Sequence, residues 1–167
     1  MIRIALIGCG KKKRAGTHRA RWLYTGALFT KALAYAERDF IDIFVLSAKH
    51  GLVELDDELD DYDRRMPTAR ADKEAWAEAV AQALRARYVD CALELTMLAG
   101  ASYIQPLRDA TRIRGDKWSF HCPLSGLQVG QRLRWFNMVA PPPRGLCGTD
   151  RIRNGCTLPF AHERPCV

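Results

Sequence analysis

No stretch of this chain is both long and apolar enough to span a membrane, because its apolar runs, such as residues 4–7 and 43–46, end after a few positions. Residues 1–9 are apolar but short, lack a charged n-region and run straight into lysines, so they do not read as a secretory signal. The phosphate-binding fingerprints are also missing. A Gly-x-Gly at Gly8 and Gly10 has neither the Lys-Ser or Lys-Thr ending of a P-loop nor the third glycine of a dinucleotide site. Cys9, Cys91 and Cys122 lie far apart in apolar surroundings, the pattern of reduced, buried thiols in a cytoplasmic protein. The composition and motifs thus point to a soluble chain with no membrane partner, no cofactor and, in its main part, no metal.

What is present is positive charge. The 167 residues carry a formal net charge of +7, with 48% hydrophobic content, enough for one domain with a sizeable core. A pI near 9.3 turns the partner list toward phosphates and nucleic acids. The charge is unevenly placed: Lys11, Lys12, Lys13, Arg14, Arg19 and Arg21 crowd one stretch. Glu54, Asp56, Asp57, Glu58, Asp60, Asp61 and Asp63 crowd another. These runs are either functional or two solvated loops that attract one another across the surface.

Hydrophobic patterning alternates between strand and helix. Ile2, Ile4, Leu6 and Ile7 form a short buried strand ending in a glycine turn; a helical stretch follows from Trp22 to Tyr35, with Thr25 as a cap. Ile41, Ile43, Phe44, Val45 and Leu46 form a second strand of the kind covered on both faces in a parallel sheet. Residues 47–71 read as a long polar loop. Asp72 then caps a helix whose Trp76, Val80, Leu84 and Tyr88 make one apolar face. A third strand over residues 93–98 stops at Gly100. A short helix over 103–112, a strand over 118–124 and a helix over 130–138 complete the pattern. The alternation predicts a three-layer α/β domain over residues 1–138 with a mostly parallel sheet, its strand order unknown. Residues 139–167, opening on Pro141, Pro142 and Pro143, read as a loosely ordered tail.

Ligands of open α/β sheets sit beyond the carboxyl ends of the strands, which singles out three turns. After the first strand, Gly8, Cys9 and Gly10 let a backbone approach an anion that Lys11, Lys12 and Lys13 can neutralise. After the second, Ser47, Lys49, His50 and Gly51 set a hydroxyl, an amine and an imidazole together. His50 can shuttle a proton, and Lys49 can bind phosphate or act as a nucleophile; the plainer alternative is a capping serine, a surface lysine and a structural histidine. Tyr62 and Asp63 can return to this turn, with Asp56 or Asp63 as a carboxylate that orients His50 or stabilises a reacting sugar. After the third, Gly100 and Tyr103 offer a tight turn and a ring for stacking on a base.

Three segments together, residues 4–13 (IALIGCGKKK), 45–53 (VLSAKHGLV) and 98–103 (LAGASY), resemble an uncharacterised domain family of actinobacteria and their phages. Residues 123–133 resemble that family's closing segment. More distantly, the Ser-x-x-x-Gly-Leu turn with its downstream acidic and tyrosine motif is similar to YaaA-type peroxide-stress proteins and to a domain of archaeosine synthases. That likeness implies association with DNA or RNA and chemistry on a modified base, carried on Ser47, Gly51, Asp56 and Tyr62. This chain departs from the pattern at Leu55 and Asp61, where proline commonly stands.

The reading that unites these features is an enzyme acting on a nucleobase, of N-glycosidase or base-exchange type, a hydrolase in the former case. It places phosphate on the Gly8–Gly10 turn with its lysines, and Lys49, His50, Asp56, Tyr62 and Asp63 at the glycosidic bond. Two alternatives stay open: a non-catalytic DNA- or RNA-binding module, and a protein that binds a small nucleotide or nucleoside. In the tail, Cys147, Cys156, His162 and Cys166 have roughly the spacing of a CCCH zinc finger with the last two ligand types exchanged.

Overall fold

The computed structural model describes residues 1–139; the tail from residue 140 on, with Cys147, Cys156, His162 and Cys166, lies outside the described residues. Strand β1 (Ile2–Gly8) runs through the middle of a five-stranded sheet, because its residues 4–7 are fully buried and need cover on both faces. The period of two divides that cover. Ile4 and Leu6 enter one core and Ala5 and Ile7 the other. Truncating Leu6 to alanine would cost about 2–5 kcal/mol, through lost transfer energy and the cavity left behind.

Beside β1 lie β3 (Asp42–Ser47) on one side and β6 (Leu93–Leu98) on the other, both parallel to it. The parallel β7 (Trp118–His121) extends the β6 side, and the antiparallel β4 (Gly51–Glu54) extends the β3 side. The sheet order is therefore β4-β3-β1-β6-β7. Helices α2 (Ala27–Asp39) and α5 (Val129–Val139) pack together on one face; α3 (Arg70–Arg87) and α4 (Ala101–Arg114) cover the other. The three-layer, mostly parallel α/β architecture read from the alternation is the one observed.

Two features depart from the sequence reading. The helical stretch from Trp22 to Tyr35 is broken: a single turn, α1 (Ala20–Leu23), precedes α2, and Gly26 rather than Thr25 occupies the cap position, without a side-chain hydrogen bond. Likewise α3 begins at Arg70, so Asp72 lies inside the first turn rather than at the cap. There its carboxylate faces the positive end of the helix dipole.

The polar loop of residues 47–71 is the larger correction. It contains β4, which turns back on β3 through Gly51, whose φ of +72° favours glycine. It also contains β5 (Glu58–Asp60), paired antiparallel with β2 (Thr17–Arg19) in a separate two-stranded sheet. The acidic run is thus hydrogen-bonded to the far end of the basic stretch. Both strands of this small sheet are three residues long and mostly exposed, so no apolar alternation announces them.

The connections diverge at the centre of the sheet. From β1 the chain passes through α2 to β3 on one side; from β3 it crosses through α3 to β6 on the other. The crevice between the carboxyl ends of β1 and β6 is the topological switch point, where doubly wound sheets take their ligands.

Candidate functional site

Three strand ends meet at this edge and are tied by side chains. At the end of β3, Ser47 is fully buried, and its Oγ accepts the backbone N–H groups of Lys49 (3.2 Å) and His50 (3.0 Å). Both lone pairs are then engaged, so the hydroxyl proton goes to Tyr62 Oη at 2.7 Å. Tyr62 in turn donates to Tyr24 Oη at 2.9 Å. The result is a chain of three hydroxyls running from the strand end into the α1–α2 connection. Burial is the main cause that raises both phenols above the ordinary tyrosine range, so they stay protonated.

On the other side, the buried indole of Trp76 donates from Nε1 to the Ser47 carbonyl at 2.8 Å, which fastens α3 to the end of β3. Its ring meets Tyr103 edge-on at 5.4 Å, and Tyr103 Oη lies 3.3 Å from Cys9 Sγ just past β1. Burial and the neighbouring thiol raise the Tyr103 phenol as well. Tyr24, Tyr62, Ser47, Trp76, Tyr103 and Cys9 therefore form one continuous polar rim over β3, β1 and β6. Gly8 sits in a close approach, since a Cβ there would lie 3.1 Å from that of Ala99 just past β6, a tight contact that Ala99 would have to yield to.

The basic loop is held against this rim by its backbone. Arg14 N donates to the Leu23 carbonyl (2.8 Å) and Thr25 N to the Lys12 carbonyl (3.0 Å). This clamp turns Lys13 inward: its Nζ stands 4.1 Å from the Tyr62 ring centre and donates to the Gly10 carbonyl at 3.3 Å. Lys49 Nζ reaches the same ring from the β3 side at 5.3 Å. Lys11 and Lys12 stay exposed beside them. The His50 ring sits edge-on to Tyr62 at 5.2 Å, and its pKa is lowered, first by burial and then by Lys49, so it is neutral at pH 7.

The carboxylates assigned to this chemistry are placed differently. Asp56 is ion-paired with Arg21 (3.1 Å) and Arg19 (3.7 Å), at the small β2–β5 sheet. Asp63, next to Tyr62, is exposed. Among the described residues no carboxylate is hydrogen-bonded or ion-paired to the His50 ring, to Lys49 or to residues 11–14. Gly51 serves the hairpin turn, and Gly100 caps α4. Trp76 was legible only as a core residue, and Tyr24 was missed altogether. The useful signal was that a buried indole N–H or phenol has to find a partner.

A slot of about 100 Å³ opens at the switch point, lined by Cys9, Gly10, Phe29, Leu98, Gly100 and Tyr103. A much larger groove of about 890 Å³ lies between α3 and α4. Size does not make that groove the better site. Its Arg70 pairs with Glu74 (2.6 Å) and its Arg114 with Glu78 (2.9 Å), so much of its charge is neutralised internally. The described residues hold no cluster of His, Cys, Asp and Glu arranged for a metal, and no helix long and apolar enough to cross a membrane.

A family model matches residues 4–138, from the first buried strand to the end of α5. The chain belongs to DUF6884, a family of unknown function. No curated protein and no solved structure matches it. The matched segment of this DUF6884 domain contains every residue of the strand-end rim.

Proposed function

We propose that this DUF6884 domain binds the phosphate of a nucleic acid or nucleotide at its strand ends. The observation that carries the reading is the convergence of Lys13 and Lys49 on the Tyr62 ring, beside Lys11 and Lys12, with none of these four lysines ion-paired to a carboxylate of the described residues. Each carboxylate brought into such a cluster would neutralise a cation; their exclusion leaves a field suited to an anion. The distant likeness to YaaA-type proteins and archaeosine synthases agrees with a nucleic-acid ligand.

A second reading, base removal or exchange, is favoured by neutral His50 in the same turn as Lys49. In hydrolysis of an N-glycosidic bond, His50 would accept a proton from the attacking water as its oxygen bonds to C1′. The Lys49 ammonium would supply a proton to the departing base as the C1′–N bond breaks. The deciding experiment incubates the wild-type protein and a Lys49→Ala variant with unmodified DNA, phage-modified DNA and RNA. Binding is followed against salt and released bases by mass spectrometry. Salt-dependent binding without release supports the phosphate-binding module; base release by the wild type only establishes catalysis. Absence of binding to all three substrates removes the nucleic-acid form of the proposal.

A further inference from the structure

We propose that the slot at the β1–β6 switch point receives the planar heteroaromatic base of the ligand. This inference rests on the phosphate-binding reading and adds the recognition of the base to it. The walls suit a flat ring. Phe29 and Leu98 are apolar, whereas the edges are backbone at Gly10 and Gly100, where no side chain stands in the way. The volume, about 100 Å³, is too small for a whole nucleotide. An apolar cavity that encloses a single benzene ring is about 150 Å³, so the slot takes the edge of a base and leaves the rest of the ring over its rim.

The polar groups are confined to one rim. Cys9 Sγ and Tyr103 Oη, 3.3 Å apart, offer a thiol and a phenol that can each donate to or accept from the edge of a base. Arg132 of α5 comes near Gly100, its Nη1 4.0 Å from the position of a Cβ there. Lys11 to Lys13 follow Gly10 by one to three residues, a reach of roughly 3–11 Å in extended chain. That span brackets the separation of base and phosphate across one sugar. A base in the slot and a phosphate on the lysines are therefore compatible with one nucleotide unit.

The test fills the slot while sparing the lysines. Leu28 of α2 also lines the slot and is half-buried, so Leu28→Trp has solvent on one side for its extra volume and narrows the slot without touching the basic turn. Calorimetric titrations compare a purine nucleoside, its 5′-monophosphate and ribose 5-phosphate on both proteins. The wild type is expected to bind the monophosphate at least tenfold more tightly than ribose 5-phosphate, and Leu28→Trp to erase that preference while keeping ribose 5-phosphate affinity. Equal affinity of the wild type for the two phosphates, or an undiminished preference in the variant, overturns the slot. Nucleoside binding that Leu28→Trp abolishes, with no binding of ribose 5-phosphate, upholds the slot and overturns the phosphate reading instead.

A readout on the wild type guards against misfolding of the variant. The bound monophosphate should slow alkylation of Cys9 at least fivefold while leaving Cys122 unchanged, as read by peptide mapping; equal rates with and without nucleotide count against the slot. The source of the base is separated with two oligonucleotides. A single-stranded oligomer that displaces the monophosphate, where its abasic counterpart does not, identifies a base presented by a strand. Failure of both oligomers to compete identifies a free nucleotide.

Discussion

The two ends of the basic stretch have opposite fates. At the outer end, Arg19 and Arg21 are matched by Asp56, Arg21 also faces Glu37 at 3.7 Å, and the backbone forms the β2–β5 ladder. At the inner end, six to ten residues earlier in the chain, Lys11 and Lys12 are exposed, and Lys13 donates to the Gly10 carbonyl and stands over the Tyr62 and Tyr24 rings. Opposite charges at the outer end satisfy one another and hold a loop in place. Neutral groups at the inner end position cations without cancelling them. One run of like charge thus serves structure at one end and, at the other, leaves Lys11, Lys12 and Lys13 without an ion pair among the described residues.

The largest effect should come from removing those lysines. Replacing Lys11, Lys12 and Lys13 with alanine should lower affinity for a single-stranded oligonucleotide by about 100-fold at low salt. It should also flatten the slope of log K against log salt by roughly 2 units, at about 0.7 per lost contact. Thermal stability should hardly change. If the triple variant melts early but binds normally, the two ends have been assigned the wrong way round.

Next in size is the anchor between α3 and β3. Trp76→Phe withdraws the indole N–H from the Ser47 carbonyl and also shrinks the buried ring, so a hydrogen-bond loss of about 1–3 kcal/mol comes on top of a packing loss. Urea unfolding should show the midpoint shift at constant slope, and an unchanged midpoint would mean that the bond contributes nothing net.

The phenols give a test that needs no mutation. All five tyrosines, Tyr24, Tyr35, Tyr62, Tyr88 and Tyr103, have raised pKa values, with burial the first cause in each case. Their folded pKa values exceed the unfolded value near 10, so above pH 10 the unfolded chain loses protons that the native chain keeps. Stability from this source is fully present below pH 10 and declines as pH rises above it. Absorbance at the tyrosinate band should show little ionisation of the native protein at pH 10, against about half in urea. Half-ionisation in both would place the hydroxyl chain in open solvent.

The smallest change is expected at the outer end. Arg21→Ala should cost under about 1 kcal/mol, since its pairs with Asp56 and Glu37 are partly exposed, and should leave oligonucleotide affinity within a factor of two. A large loss of binding would make Arg21 part of the ligand surface.

How much could be read in advance depended on how locally each element is encoded. β1, β3 and β6 were legible because each is an apolar run covered on both faces, and α3 because Trp76, Val80 and Leu84 repeat along one side. β2 and β5 were not, since short polar strands owe their existence to pairing partners elsewhere in the chain, and the four-residue β4 was too short to show an alternation. The turns at Gly8 to Lys13, at Ser47 to Gly51 and at Gly100 were legible as strand ends, and Tyr62 as a residue that returns to them. Asp56 looked equally available for catalysis until the fold set Arg19 and Arg21 against it.

The amino-acid sequence by itself determined the alternation of strands and helices, the positive charge and the chemistry carried at each strand end, because these follow from neighbours within a few residues. Only the tertiary structure decided that β1 lies between β3 and β6, which brings Cys9 to Tyr103 across 94 residues and Tyr62 to Ser47 and Tyr24. Strand order and charge pairing were settled by which distant segments cover the two faces of β1, and no local preference contains that information.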